Sequence, residues 1–420
     1  MFFLLILFSS TQLGKHFWPD FTYIFGLKID YLSPTLYLTD VYILCLFFFW
    51  FFEERKSFAS GFLKVINTKF LLIFFIYLFI NSALASNPEA AFYKLLKISE
   101  FTLLGVYIVR NYFTIFTFAA LGFSVSIIGQ FLLALLQIFK QGSIGGPFWL
   151  LGERTFNAGT PGISLADING EMFLRPYGTF SHPNSLAGFV LVSLLLLVVL
   201  GNKLPVLFKR TVFLSGITLI VLSFSRSVWL TFFVVLTAFI PVTLAHLKSR
   251  RNLLIYSVLI YLPLFALFFW RVNLALGSQP VEERILLSKA SLAMLTSSPF
   301  FGVGLNNFIV NLPNHWNLGN VYFLQPVHNL FLLVASETGL LGLFFFLTLI
   351  IGIFMRYQSK KFRSKESFVF VVSFVSILFS GLFDHYWFTL QQNMLLLTVV
   401  LGFLLGSLAF NSKTPLNRLK

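Results

Sequence analysis

Long apolar runs alternate with short polar segments along nearly the whole chain. A helix that crosses a bilayer needs about 20 mostly apolar residues, so this pattern predicts about twelve membrane-spanning helices. We therefore expect an all-α polytopic membrane protein in which residues 1–420 form a single membrane domain. The first predicted span is the shortest, because Lys15 ends its apolar run early. The predicted spans are residues 2–14, 36–52, 69–85, 93–110, 113–138, 184–201, 208–225, 227–246, 252–272, 327–355, 367–384 and 390–409.

The composition excludes a soluble globular protein. Hydrophobic residues make up 57% of the 420 residues and charged residues only 11%, whereas charged residues are about a quarter of a typical soluble domain. The net charge of +15 does not indicate nucleic-acid binding, because the basic residues lie in short loops rather than on one soluble face. The single cysteine, Cys45, allows no intrachain disulfide.

Lysine and arginine residues in the short loops predict the orientation. They cluster on one side of the predicted spans, which the positive-inside rule makes cytoplasmic, with both termini on that side. Residues 210–248 begin and end with basic residues, so they should form two helices with a tight turn at Ser225, Arg226 and Ser227. This turn would hold Arg226 at the outer membrane boundary. The basic clusters are Arg55, Lys56, Lys64 and Lys69; Lys203, Lys209 and Arg210; Lys248, Arg250 and Arg251; Arg356, Lys360, Lys361, Arg363 and Lys365; and Lys413, Arg418 and Lys420.

Two long external loops are expected, at residues 139–183 and 273–326. The first is rich in glycine and proline, which is typical of an irregular loop. In the second, apolar residues recur near helical spacing over residues 280–296, after a proline that suits a first helical turn. We interpret residues 280–296 as an amphipathic helix on the outer membrane surface. Its polar face carries Arg284, Ser288 and Ser291.

Three external arginines, Arg175, Arg226 and Arg284, are candidates for phosphate binding. A guanidinium group binds phosphate oxygens bidentately and stays charged where water is scarce, so two or three of them in one cleft would suit a pyrophosphate. The alternative for each is an interfacial arginine that reaches toward the headgroups or pairs with a nearby acid.

His328 is the candidate for proton transfer, because histidine is the side chain that ordinarily exchanges protons near neutral pH. It lies at the predicted outer boundary, where a long apolar helix begins. The alternative is an ordinary interfacial polar residue. Glu337 is nine residues further on and falls on the opposite face of that helix. We therefore expect Glu337 to have a structural hydrogen-bonding role, with Gly339 and Gly342 allowing close helix approach.

Two further turns carry candidate polar groups. In one, His182 could bind substrate or simply begin a helix, and Asn184 could cap the first turn of that helix. In the other, Asp384 and His385 could form a second proton-transfer pair, ranked below His328. A Walker A loop and a metal-ligand spacing of His, Cys or carboxylate residues are both missing from the sequence. We therefore expect a reaction without metal or cofactor.

Several of these stretches together resemble the O-antigen ligase and polymerase family. The resemblance is clearest over residues 175–345, and each motif is weak alone while their order is fairly specific. The stretches are Arg175, Gly178–Ala187 (GTFSHPNSLA), Phe224–Trp229 (FSRSVW), Arg284, Ser298–Asn307 (SPFFGVGLNN), His328-Asn329-Leu330 and Glu337–Gly342 (ETGLLG).

This resemblance implies a membrane-embedded, metal-independent, inverting glycosyltransferase of the GT-C type. Such enzymes move a glycan from undecaprenyl pyrophosphate to an acceptor hydroxyl on the outer leaflet of the bacterial cytoplasmic membrane. Carried onto this chain, the resemblance implies that Arg226 and Arg284 bind the pyrophosphate, with Arg175 as an auxiliary, and that His328 is the base. Asn329 shares the motif of His328.

The acceptor and the class remain open at this point. Members with this pattern act on lipid A core, on glycan repeat units or on protein Ser and Thr, the last being protein O-oligosaccharyltransferases. A different GT-C arrangement would use Asp30 or Asp40 as the base. A non-enzyme alternative is a transporter or flippase of the lipid-linked glycan, which should show internal repeats and ionisable groups deep in several spans.

Overall fold

The computed structural model describes residues 1–53, 68–168, 170–244, 279–315, 324–359 and 364–410. The predicted span 252–272 lies outside the described residues. So do most of the basic residues that set the predicted orientation, including those of residues 54–67, 245–278, 360–363 and 411–420.

Helices dominate the described part of the chain, because its sequence consists of long apolar runs whose backbone groups must bond to one another in lipid. The helices are α1 (Phe2–Leu7), α2 (Leu38–Glu53), α3 (Thr68–Ala83), α4 (Pro88–Arg110), α5 (Phe116–Lys140), α6 (Pro183–Leu200), α7 (Val206–Leu222), α8 (Arg226–Leu244), α9 (Gln279–Ser297), α10 (Phe308–His315), α11 (Leu330–Gln358), α12 (Lys365–Ser380), α13 (Tyr386–Thr389) and α14 (Gln391–Ala409).

Four of the described helices, α5, α6, α11 and α14, are long and apolar enough to cross a membrane. Shorter apolar helices lie within α2, α3 and α8. These helices agree with the predicted polytopic membrane protein.

The predicted span 2–14 is wrong as a crossing. Its helix, α1, has only six residues and is followed by a 3-10 turn at Phe8–Ser10 and a strand that begins at Gly14. Six residues are far too few to span a bilayer, which takes about 20. Instead Leu5 and Ile6 are fully buried against α5, where they become part of the main core.

Helix α6 is the centre of this core. It packs against α5, α7, α12 and α14, and almost all of its residues are buried. Gly188 on this helix lies against the ring of Tyr386 on α13, where a larger side chain would collide with the phenol. The absence of a side chain at Gly188 therefore lets the short helix α13, and the turn that precedes it, sit close to the start of α6.

Short strands organise the segments between helices near the proposed outer face. Strand β1 (Gly14–His16) pairs with β4 (Thr35–Tyr37), and β2 (Tyr23–Ile24) pairs with β3 (Leu27–Lys28), both antiparallel. In the loop 139–183, β5 (Leu165–Ile168) and β6 (Glu171–Leu174) form a hairpin, and Gly146–Leu151 form a 3-10 helix. The sequence did not predict this hairpin, because each strand has only four residues and the alternation of apolar and polar positions is too short to recognise.

The helix predicted over residues 280–296 is confirmed as α9. One side of it, with Leu287, Ala290 and Met294, is buried in a cluster with residues from the segments around it. Ser291 lies on this side and donates a hydrogen bond to the Leu332 carbonyl at 3.0 Å. Ser291 of the predicted polar face is therefore turned toward protein, and Ile285 and Leu292 on another side are exposed.

Helix α11 is broken at Gly339, whose φ of 63° is in the left-handed region. The segment after α9 lies in this break: Val303 N donates to Ser336 O, and Gly304 N donates to Glu337 O, both at 2.9 Å. The Glu337 carboxylate also accepts from Phe308 N at 3.3 Å. The structural role expected for Glu337 is thus confirmed, and Gly339 admits a loop backbone at the break.

The two helices predicted within residues 210–248 are confirmed as α7 and α8. The turn between them covers residues 223–225, and Arg226 is the first residue of α8.

Candidate functional site

His328 lies immediately before α11, and two hydrogen bonds attach this position to the turn that follows α12. Leu330 N donates to Gly381 O at 2.7 Å, and the Asn329 side chain donates to Leu382 O at 3.0 Å. Asn329 Oδ1 also caps α11 by accepting from Phe331 N and Leu332 N. Asn329 is therefore a helix cap that brings His328 next to the turn containing Asp384.

Asp384 is the acidic neighbour of His328. Its Oδ1 lies 3.5 Å from His328 Nδ1, and the two side chains are only 6% and 16% exposed. The same oxygen accepts a hydrogen bond from the backbone N of His385 at 2.9 Å. Burial alone would raise the pKa of Asp384, but the nearby His328, His385 and Arg284 hold that pKa well below its ordinary value. The imidazole of His328 thus faces an ionised carboxylate.

Asn184 joins this carboxylate to Arg175. Its Nδ2 donates to Asp384 Oδ2 at 3.1 Å, and its Oδ1 accepts from Arg175 Nη2 at 2.7 Å. The helix cap predicted for Asn184 is wrong, since the cap of α6 is His182, whose Nδ1 accepts from Asn184 N at 3.1 Å. The Pro183 that follows His182 suits the first helical turn, which moves the cap two residues earlier than predicted.

The other groups on Arg175 connect it to two more segments. Its Nε donates to Ser223 O at 2.8 Å, in the turn before Arg226, and its Nη1 donates to Ser164 Oγ at 3.3 Å. Burial, with smaller contributions from the positive charges of Arg226 and Arg284, lowers the pKa of Arg175 to about 10. The structure therefore places Arg226 and Arg284 close enough to Arg175 for their charges to act on it.

Two further histidines lie near Asp384, and both are neutral. Burial and the charge of Arg175 lower the pKa of His182 to about 3, and burial lowers that of His385 to about 3. His182 uses Nδ1 as an acceptor at the helix start, and its Nε2 lies 3.2 Å from Ser164 Oγ. His385 Nδ1 lies 2.8 Å from a threonine hydroxyl on α13. Both imidazoles therefore have hydrogen-bonding partners within the protein.

A cavity of about 750 Å³ opens beside these groups. His182, His328, Asp384 and His385 line it. The rest of the lining comes from the segment before α2, from α4, from residues 149–155 and from the region around α13. Arg175, Arg226 and Arg284, all among the described residues, do not line it. The cavity is therefore lined by the histidine and carboxylate groups and not by the three candidate arginines.

His328, Asp384 and His385 also lie close enough to approach a common cation, since their ligand atoms are all within 4.8 Å of one another. Sequence spacing could not show this cluster, because residue 328 and residues 384 and 385 are in different turns. The positive charge of Arg284 acts on both Asp384 and His385, which opposes the binding of a second cation there.

The two aspartates of the alternative mechanism differ in their surroundings. Asp40 is buried, forms an ion pair with Lys97 at 2.6 Å and accepts hydrogen bonds from Gln391 Nε2 and Tyr37 N. A carboxylate bound in this way is held in place by structure and has little freedom to take a proton from a substrate. Asp30 lines the cavity, and its side chain is 60% exposed.

Residues 210–347 match a family model described as O-antigen ligase, which supports the predicted family. The matched part contains Arg226, Arg284 and His328, whereas Arg175, Asn184 and Asp384 lie outside it. No curated protein matches the chain. Sequence reasoning did not identify Asp384 as the partner of His328, although an acid next to a histidine in an external turn was the available signal.

Proposed function

We propose that this chain of the O-antigen ligase family transfers a glycan from undecaprenyl pyrophosphate to an acceptor hydroxyl, on the outer face of the bacterial cytoplasmic membrane. The observation that carries the proposal is the pairing of His328 with the buried, ionised Asp384 at the cavity. The family match supports a lipid-linked donor and a glycan acceptor.

His328 is the base in this mechanism. A proton on Nδ1, which faces Asp384, leaves the lone pair of Nε2 able to accept a proton from the acceptor hydroxyl. The carboxylate of Asp384 then stabilises the imidazolium that forms, as a buried aspartate does beside a catalytic histidine. Asp384 therefore acts as a positioning residue that also makes proton transfer more favourable.

Bond formation and bond breaking occur at the same carbon. The acceptor oxygen forms a bond to the anomeric carbon of the glycan while the bond from that carbon to the pyrophosphate oxygen breaks, which inverts the anomeric configuration. The electron pair leaves with the lipid pyrophosphate, and the proton of the acceptor goes to His328. Arg226 and Arg284 bind the pyrophosphate and stabilise the charge that develops on it.

The test uses the purified full chain with an undecaprenyl-pyrophosphate glycan and a hydroxyl acceptor. Release of lipid pyrophosphate coupled to formation of the glycosylated acceptor, undiminished by a chelator, is the expected result. The His328→Ala variant should lose at least about a hundredfold in rate, the usual contribution of a general base. Arg226→Gln and Arg284→Gln should each lose about a hundredfold or more.

His315→Ala is the matched control, because His315 ends α10 and does not line the cavity. It should keep the wild-type rate. Near-normal transfer by a folded His328→Ala variant would overturn the assignment of the base. If Asp30→Asn were inactive at the same time, the alternative carboxylate mechanism would replace it. Movement of intact donor across a vesicle without transfer would instead indicate a flippase.

A further inference from the structure

None of the three arginines lines the cavity next to His328. The positive charges of Arg226 and Arg284 act on Arg175. In the proposed reaction the pyrophosphate belongs with the arginines, and the acceptor hydroxyl must reach the same imidazole from another direction. The cavity is the remaining space next to that imidazole, and its volume of about 750 Å³ is in the usual range of about 300 to 1,000 Å³ for ligand sites.

The walls of this cavity suit a carbohydrate. Aromatic rings from separate segments line it, together with many hydrogen-bonding groups, and the rings belong to Tyr31, Tyr37, Tyr93 and Trp149. A sugar ring presents apolar C–H faces and a rim of hydroxyl groups, which match an aromatic face and nearby polar atoms respectively. Trp149 is 60% exposed, so it lies where the cavity meets the surroundings of the protein.

Two lysines on α4 line the cavity, and their environments differ. The ammonium of Lys97 forms ion pairs with Asp40 at 2.6 Å and with Glu100 at 2.8 Å. Lys94, one turn earlier, donates to the Phe388 carbonyl and contacts the sulfur of Met394 at 3.2 Å.

In the part of the chain that the structure describes, no carboxylate lies within the 4.0 Å ion-pair distance of Lys94. The charge of Glu337 acts on Lys94 from farther away. A partly buried ammonium that faces a cavity and has neutral partners is costly unless an anion binds there. Lys94 therefore indicates the charge of the ligand that fills this space.

We propose that this cavity is the acceptor subsite and that it takes a glycan carrying an anionic group, a phosphate or a carboxylate, which binds Lys94. This inference rests on the proposed function and adds the chemical class of the acceptor to it. The anionic group is placed beside α4 and α13 while the accepting hydroxyl faces His328. Specificity then comes from Lys94, and the chemistry comes from His328 and Asp384.

The test compares three soluble acceptors built on one disaccharide: one with a phosphate monoester, one with a uronic acid carboxylate and one that is neutral. Purified full-length protein and undecaprenyl-pyrophosphate glycan are held constant while acceptor KM and kcat are measured. The wild type should prefer one or both anionic acceptors, and the arm with the lower KM identifies the anion. Lys94→Gln keeps a donor for the Phe388 carbonyl but removes the charge, so it should raise the KM of the anionic acceptor about tenfold to a hundredfold.

If Lys94 binds the anion, Lys94→Gln should affect the anionic acceptors and leave the neutral acceptor unchanged. In Lys94→Gln the preference for the anionic over the neutral acceptor should disappear, while donor KM is unchanged, and Lys94→Arg should keep most of the preference. Lys140→Gln is the control for a lost surface charge, since Lys140 is exposed and bonds to the Ile144 carbonyl. It should leave the acceptor preference unchanged.

Other outcomes would overturn the inference in distinguishable ways. An equal fall of kcat for all three acceptors in Lys94→Gln would show that Lys94 only holds the Phe388 turn. Transfer to a Ser- or Thr-containing peptide, with none to the glycans, would exclude a glycan subsite while leaving glycosyl transfer in place. Calorimetry of the phosphorylated disaccharide without donor tests the subsite even if transfer fails: binding lost in Lys94→Gln supports the subsite, and undetectable binding to the wild type overturns it.

Discussion

The pairing of Asp384 with His328 leads to the sharpest prediction. Asp384→Asn changes one oxygen to an amide nitrogen and removes the negative charge beside the imidazole. At the observed separation of 3.5 Å, a carboxylate and an imidazolium attract by about 5 kcal/mol when the effective dielectric constant is about 20. This attraction exists only after His328 has taken the proton, so it stabilises the transition state rather than bound substrate.

About 5 kcal/mol is an upper bound, because the amide dipole replaces part of the lost interaction. At about 1.36 kcal/mol per tenfold in rate, this upper bound corresponds to a loss of about five thousandfold in kcat. In the wild type, Asn184 Nδ2 donates a hydrogen bond to the Asp384 carboxylate. In Asp384→Asn this contact joins two amide groups instead. The assay is acceptor saturation kinetics on purified Asp384→Asn, with thermal unfolding as the check on folding.

The expected result is a large fall in kcat with donor KM nearly unchanged. A folded Asp384→Asn variant with wild-type kcat, or one whose defect lies only in donor KM, would refute the reasoning. Asn184→Ala provides a second measurement. If Asn184 acts through Asp384, the variant with both substitutions should be no slower than Asp384→Asn alone. If the two residues act independently, the losses in kcat of the two single variants should multiply. Asn87→Ala, which removes the cap of α4, is the control for lost stability and should keep kcat.

Two further predictions concern stability. The pKa of His385 is about 3 in the folded protein, against an ordinary 6.5. Its contribution to the free energy of unfolding is therefore complete above about pH 6.5 and is lost as the pH falls toward 3, because the unfolded state then binds the extra proton. His385→Gln should flatten the fall of the unfolding temperature between pH 6.5 and 5, and an unchanged slope would contradict the shift. Gly302→Ala should destabilise the protein by about 2 kcal/mol or more, since its φ is +67° and a Cβ would collide with the Ser336 carbonyl. Gly129→Ala on α5, with nothing within 4 Å of the added carbon, should be neutral or stabilising by thermal unfolding, and equal losses in both variants would exclude the packing argument.

Much of the site could be predicted from local sequence, and the part that could not depends on long-range contacts. The three arginines and His328 were found because each is an unusual residue at a predicted membrane boundary. The structure brings His328, Arg175 and Arg284 near Asp384, and the charge of Arg226 acts on Arg175. The partner of His328 was missed because the search stayed on its own helix, where Glu337 points elsewhere. Asp384 lies 56 positions away in the chain, and only the hydrogen bonds of Asn329 and Leu330 to the turn after α12 bring the two side chains together.

The same distinction applies to the fold. Hydrophobic runs identified α5, α6, α11 and α14, because the need to satisfy backbone groups in lipid leaves a long apolar segment few alternatives to a helix. Shorter elements depended on their surroundings. The apolar residues of α1 do not cross a membrane and instead fill a space beside α5, and β5 and β6 pair within a loop whose glycines suggested irregular structure.

By itself, the sequence determined the class of protein, the segments that become long helices and the candidate residues for pyrophosphate binding and proton transfer. Each of these properties follows from composition or from the spacing of residues within one segment. Tertiary structure alone decided that Asp384 faces His328 and that Asn184 bridges Asp384 and Arg175. It also decided that Lys94 lines the cavity with no carboxylate of the described residues within ion-pair distance. These are relations between side chains on different helices, and packing sets the distances between them.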